Sequence, residues 1–250
     1  MTQEKGYQLH FSQSDAVLKD VKGRVQKFKK ILSILQDFCP DIQSLICLDI
    51  GCSNGIITSC LGSHFSMAIG MDIDQEAVQY GKIHSLSPRV QYSSADSMAL
   101  PLRDNSIDVV VCNHIYEHVP QANQMMDEIY RVFKEGRFCY FSAGNKYAIM
   151  EGHSHLPMLS WFPKPLAHLY LKFTGKGNFY NEQHFSLREL RQLVGKFRIH
   201  DYTLSIIRNP EKFSATDLIH PKSLLYKGAH LRAPYLYPWI PTYIWILAQK

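Results

Sequence analysis

The chain has 250 residues, 46% of them hydrophobic, and a formal net charge of +5. That length and apolar fraction suit one α/β domain with insertions and a real core, and argue against a disordered chain. No stretch reaches the ~20 apolar residues of a membrane span, and Met1 to Ser14 is polar with no secretory signal, so a cytoplasmic protein is expected.

Six cysteines form no C-x-x-C pair. Four of them, Cys47, Cys52, Cys112 and Cys139, fall in or beside predicted strands, which favours buried reduced thiols over disulfides or zinc. Charge divides unevenly along the chain. Residues 45–143 hold six Lys/Arg against eleven Asp/Glu, whereas residues 144–250 hold fourteen against six. The acidic part is compatible with a cationic ligand. The basic, aromatic part favours an anionic or partly apolar substrate, or an anionic membrane surface. Solvated surface lysine is the plain alternative.

Taken in order, Val17, Leu18, Val21, Val25, Phe28, Ile31, Leu32 and Leu35 recur at helical spacing. They predict a helix over 15–38, with Lys19, Lys22, Lys27, Lys29 and Lys30 opposite and Pro40 as its stop. Core packing is favoured for it over a place on a membrane surface. The apolar run 45–48 reads as a buried parallel strand. It leads into Asp49-Ile50-Gly51-Cys52-Ser53-Asn54-Gly55 and a short helix, 56–61, closed by Gly62. Strand, glycine turn and helix make a ligand cradle: glycine lets the backbone approach a ligand closely, and the free N–H groups of the helix face it. Ser53 stands where the G-x-G-x-x-G dinucleotide fingerprint wants its middle glycine. Asp49, inside the turn, is ill placed for a pyrophosphate and well placed for an ammonium group.

A second strand from Met67 ends at Asp72, about 20 residues on, where a carboxylate can bind ribose hydroxyls. Asp74 caps a helix over 75–85. Strands follow at 90–93 and 107–112, then a helix over 121–133 ended by Gly136, then a strand over 137–142. Residues 144–181, rich in proline and aromatics, read as a lid. A Ser186/Glu189 capping box opens a helix over 187–194. Residues 198–207 alternate and read as a sixth strand, 209–240 as a second insertion, and 243–248 as the last strand. No repeat and no second domain is visible.

The glycine turn at 49–55, the acid at Asp72 and the A-D-x-x-x-L-P segment at 95–101 together resemble the class I S-adenosylmethionine-dependent methyltransferases, from about Leu45 to Phe141. The resemblance implies an α/β fold: a Rossmann-like seven-stranded sheet, mostly parallel with an antiparallel last strand, helices on both faces, and here two lid insertions. One domain would span 1–250, with an N-terminal helix (15–39) across the cofactor entrance, a cofactor core (45–143), a lid (144–181) and a C-terminal part (182–250). The implied cofactor is S-adenosyl-L-methionine. Asp72 would hold the ribose and Ile73 would follow it, while the amino-acid tail reaches the bend of Asp49, Gly51, Cys52, Ser53 and Gly55. Asp96 would meet the adenine amino group, with Ser97 and Met98 lining the ring; a loop aspartate capping a turn is the plain reading. Asn113 lies at the end of the fourth strand.

Beyond that strand, Glu117-His118-Val119-Pro120 resembles the same loop of the ubiquinone-biosynthesis O-methyltransferases. There, two glutamates and a histidine of the loop hold a divalent metal. Here His114 stands in place of one glutamate, and no metal is assigned. His114, Glu117 and His118 are the catalytic candidates, with His118 as general base or substrate contact; a pair that merely fixes the loop is the alternative. His153, His155, Tyr180 and His184 are expected to face substrate. The reading is a methyltransferase acting on a small or lipid-linked metabolite, with oxygen as the preferred acceptor. A nucleic-acid methyltransferase is one alternative, though Asn113-His114-Ile115-Tyr116 lacks the Asn/Asp-Pro-Pro-aromatic motif and no nucleic-acid partner is expected. A non-catalytic S-adenosylmethionine-binding protein is the other. Peripheral contact with a membrane surface stays open as a partner.

Overall fold

A computed structural model describes residues 20–85, 87–218 and 233–250. The predicted helix residues 15–19 and the middle of the second insertion, 219–232, lie outside them. The described part of the first helix, α1, runs Val21–Phe38 and is capped by Asp20, whose carboxylate accepts the N–H of Gly23. It buries Phe28, Ile31, Ile34 and Leu35, the stripe that the 3.6-residue period selects.

Seven strands then form one sheet in the order β3-β2-β1-β4-β5-β7-β6. They are β1 (Ile46–Ile50), β2 (Met67–Asp72), β3 (Val90–Ser94), β4 (Ile107–Asn113), β5 (Phe133–Gly144), β6 (Phe197–Asp201) and β7 (Thr242–Gln249). β1 pairs in parallel with β2 and β4, and β7 runs antiparallel to both β5 and β6. The antiparallel last strand and the mostly parallel sheet are therefore as expected.

Helices cover both faces. On one, α4 (Ala122–Val132) and α6 (Leu187–Leu193) pack on Leu48, Ile50, Val110 and Phe141. On the other, α1, α2 (Ile56–Leu61) and α7 (Thr203–Arg208) pack on Cys47, Val109, Val111 and Tyr140. The alternation Cys47/Leu48 sends neighbours to opposite cores. Because both faces are covered, β4 is apolar almost throughout. The helix α3 (Gln75–His84) is capped by Asp74 as expected.

Two boundaries differ from the sequence reading. The fifth strand starts at Phe133 rather than Arg137, directly from α4. Gly136 does not end the helix: it takes φ +73° inside β5, where the ladder with β4 slips between Ile107 and Val109. That is the left-handed conformation a bulge asks of glycine. The sixth strand stops at Asp201, and residues 203–208 are helical, not extended. The Asp201 carboxylate accepts the Thr203 N–H at 2.8 Å, turning the chain into α7. A short alternating run cannot by itself distinguish the two.

The insertion after β5 is a small packed unit. A 3-10 turn (Leu159–Trp161) and α5 (Lys164–Phe173) enclose Leu156, Leu159, Ala167, Leu171 and Tyr180. No helix among the described residues is long and apolar enough to cross a membrane.

Candidate active site

The carboxyl ends of β1, β2 and β4 border a cavity of about 490 Å³, at the sheet edge where open α/β folds take ligands. The turn after β1 is fastened to β2. Gly51 and Cys52 donate their N–H groups to the Met71 carbonyl at 2.8 and 3.1 Å, and Ser53 donates its own to Asp72 Oδ2 at 2.7 Å. Asp74 N–H takes the other Asp72 oxygen at 2.9 Å. Gly51 has φ +69°, and a Cβ there would lie 2.2 Å from Ile115 Cδ1, so only glycine lets the turn pass under the β4 loop.

Gly55 serves a different purpose from the expected one. It has φ +77°, and a Cβ would strike the Tyr92 ring at 2.5 Å. The Tyr92 hydroxyl donates to its carbonyl. Gly55 does not border the cavity; it seats the tyrosine that props the turn from below.

Asp49, Cys52, Ser53, Asp72 and Ile73 all line the cavity, with Asp96, Ser97 and Asn113 across from them. Asp49 is 4% exposed and accepts the Thr58 hydroxyl at 2.6 Å. Burial pushes its carboxyl up to about 7, with nearby Asp72 adding to the rise. Burial raises Asp72 as well, against the N–H groups it accepts. Two desolvated carboxylates facing one cavity favour a positively charged guest. Asp96 Oδ1 accepts the N–H of Met98. Met98 itself is turned into the core and does not border the cavity, where Leu100 stands instead.

After β4 the backbone kinks at His114, φ +57°, with its N–H on the Ser142 carbonyl. A non-glycine residue held there is strained, and the 3-10 turn Tyr116–His118 follows at once. Glu117 is 1% exposed, with Oε1 2.9 Å from His114 Nδ1 and Oε2 buried without a hydrogen-bond partner. Burial raises its carboxyl, but the His114 hydrogen bond and the charges of His114, His118 and His184 outweigh this and bring it down to about 2. Tyr116 clasps the region together: its hydroxyl donates to the Gly144 carbonyl at 2.6 Å and accepts the Phe185 N–H at 3.0 Å.

The lid meets this loop. His153 and His155 border the main cavity beside His118, and the His118 and His153 rings meet edge-on at 5.1 Å. Glu151, buried, accepts the N–H groups of His153 and Ser154 and so fixes the lid turn. A smaller cavity of about 70 Å³ lies behind, lined by Glu117, Glu151 and His184. His114, Gly152 and His153 border both cavities. Tyr180 borders neither; its hydroxyl lies 3.0 Å from His184 Nδ1 and positions that ring.

Glu117, His118 and His153 present ligand atoms within 4.8 Å of one another. This differs from the loop-only set of the ubiquinone-type enzymes, because His114 turns its Nδ1 to Glu117 while the lid supplies a histidine. One carboxylate and two imidazoles form a donor set of the kind a divalent transition metal takes, and a metal held there would engage the His118 imidazole and so be an alternative to His118 acting as a base.

Comparison with known proteins agrees with this geometry. A family profile described as a methyltransferase domain matches residues 48–141. Residues 48–141 are a methyltransferase domain. Curated relatives include ubiquinone biosynthesis O-methyltransferases of Albidiferax ferrireducens (27% identical over 51% of this chain and 53% of that one) and Paraburkholderia xenovorans (32% over 40% and 44%). The chain spans about half the length of these relatives. Among solved structures, the fold is shared with magnesium protoporphyrin IX methyltransferase from Synechocystis, solved with bound S-adenosylhomocysteine (TM-score 0.55, 13% identity, covering 94% of this chain and 87% of that one). It is shared also with the [4+2]-cyclase SpnF (TM-score 0.54, 17% identity, 88% and 81%).

The methyltransferase domain owes part of its cavity to residues outside the profile match. Arg24 and Lys27 of α1 border it. The Arg24 guanidinium reaches Ser53 Oγ at 3.4 Å, and burial lowers its pKa against the pull of Asp49 and Asp72. Arg24 is the lone arginine of a lysine-rich helix, a faint signal. Gly144, at the end of β5, was also not singled out. A Cβ there would lie 2.7 Å from the His184 ring and 3.5 Å from Glu117 Oε1.

Proposed function

We propose that this chain transfers a methyl group to an oxygen of a small or lipid-linked acceptor, with His118 receiving the acceptor's proton. The observation that carries the reading is the junction of the two cavities at His114 and His153, beside His118. The larger cavity suits the cofactor. Asp72 would hold its ribose, Asp96 its adenine edge, and Asp49 with Arg24 the zwitterionic tail, ammonium to carboxylate and carboxylate to guanidinium. The cofactor supplies an electrophilic methyl on a sulfonium, so the chain need only align a nucleophile and exclude water.

The smaller cavity, which His118 does not line, would take the acceptor's polar end, with the reacting oxygen at the junction beside His118. Its Glu117 Oε2, buried and without a partner, seeks a donor such as a hydroxyl. Burial holds the His118 imidazole below its ordinary pKa, with Glu117 opposing, so the ring is neutral near pH 7 and ready to accept a proton. Tyr180 and Glu151 act through His184 and the lid turn. The fold alone does not select methyl transfer, since a cyclase shares it.

The test is direct. Protein incubated with methyl-labelled S-adenosylmethionine and an extract of polar lipids and phenols is expected to pass label to an organic-soluble product. Tight S-adenosylhomocysteine binding with no label transferred to any fraction would leave a binding protein and remove the catalytic claim.

Asp49 adds a pH signature. Its carboxyl is raised from 3.8 to about 7 in the folded chain, and an ammonium group binds only the ionised form. Affinity for S-adenosylhomocysteine is therefore expected to fall, by up to about tenfold per pH unit, as pH drops below about 7. The ligand-free protein responds in the opposite sense. The unfolded chain releases this proton near 3.8 and the folded chain holds it to about 7, so the contribution of Asp49 to stability is fullest below 3.8 and declines between these values. Calorimetry across that range checks the first trend, and Asp49→Asn should flatten it.

A further inference from the structure

We infer that the outer face of the lid is a docking surface for an anionic phospholipid bilayer. Of the seventeen exposed large apolar side chains among the described residues, ten fall within 147–179, so the apolar surface is concentrated on this one insertion. Lone exposed apolar residues are ordinary; a concentration is not. α5 shows how it arises. Ala167 and Leu171 face the lid's own core, while Leu166, Leu169 and Phe173 are 51%, 63% and 89% exposed. At i, i+3 and i+7 these three share the outward face of the helix. Ile149 and Phe179 of the same insertion are 66% and 59% exposed.

The charge pattern selects the partner. Residues 144–181 contain Lys146, Lys164, Lys172 and Lys176 and a single acid, Glu151. Glu151 is 1% exposed, so the insertion shows lysine and apolar groups to solvent and no carboxylate. That combination suits headgroup phosphates above an acyl boundary. A second copy of the same face would bring like charges together. None of Leu166, Leu169, Phe173 and Phe179 lines either cavity; they project as knobs, which a fluid interface accepts and a shape-matched partner does not require. The inner side of the same insertion places His153 at both cavities, so a bilayer-held acceptor would reach the site from the docked face. That last link rests on the proposed methyl transfer; the docking does not.

The test is cosedimentation of the full chain with vesicles. Binding is expected to mixed phosphatidylcholine/phosphatidylglycerol vesicles, to weaken in high salt, and to weaken on pure phosphatidylcholine. The double variant Leu169→Asp, Phe173→Asp should bind at least about tenfold more weakly. Unchanged S-adenosylhomocysteine affinity in that variant would show that it is folded. Failure of the wild type to sediment with anionic vesicles, or equal sedimentation of the variant, would overturn the docking surface. So would a concentration-dependent dimer that the variant abolishes. Vesicle binding by a chain with no affinity for S-adenosylhomocysteine would instead refute the methyl-transfer reading and leave the docking surface standing.

Discussion

Replacing His118 by alanine should lower turnover by about 10²–10⁴-fold while leaving the affinity for S-adenosylhomocysteine nearly unchanged. The split follows from position. His118 stands where the lid meets the cavity, next to His153, whereas the carboxylates that suit the cofactor lie on the other side, at Asp49 and Asp72. A base lost from the acceptor side costs proton transfer and leaves cofactor binding intact. Because burial depresses the His118 pKa, the acid limb of the wild-type rate profile, measured at saturating cofactor so that Asp49 does not contribute, should lie below 6.5. In His118→Ala that limb should vanish, a change that a merely structural role would not produce. An equal fall in cofactor affinity and turnover would instead assign His118 to the fold of the loop.

Asp72→Ala should weaken S-adenosylhomocysteine binding on the order of 100-fold, as expected for two hydrogen bonds to one charged group. The carboxylate is held from behind by the N–H groups of Ser53 and Asp74 and still borders the cavity. Its remaining lone pairs are thus aimed by the backbone before any ligand arrives, so little ordering cost is left at binding. The variant also removes the acceptor of the Ser53 N–H, so its thermal unfolding should be measured without ligand to separate loss of the turn from loss of the contact. Asp72→Asn, which keeps an acceptor for one N–H, should fall between. Calorimetry showing that Asp72→Ala binds within about threefold of wild type would remove the ribose assignment.

The helix α3 and strands β1 to β4 were legible because their signals are local. Apolar runs, an aspartate cap and glycines at a turn act within a few residues. Where two local signals competed, the reading missed. Gly136 looked like a helix stop and is a bulge inside β5. The alternation at 203–207 looked like a strand, but the turn closed by the Thr203 N–H on Asp201 and the packing of Ile206 made it helical. Gly55 was assigned to ligand approach, yet its constraint is the Tyr92 ring, a residue thirty-seven positions away.

The sequence by itself determined the succession of strand, glycine turn and helix, the acids at the strand ends, and hence the class of cofactor. These features are encoded in spacing, and spacing survives without knowledge of which strand lies beside which. Only the tertiary structure decided that His153 meets His118, that His114 turns to Glu117 while Met98 turns away, and that Gly144 makes room for His184. Those meetings depend on the order of strands in the sheet and on how an insertion folds back across its edge. No local propensity carries that information, because it arises from burial shared between segments far apart in the chain.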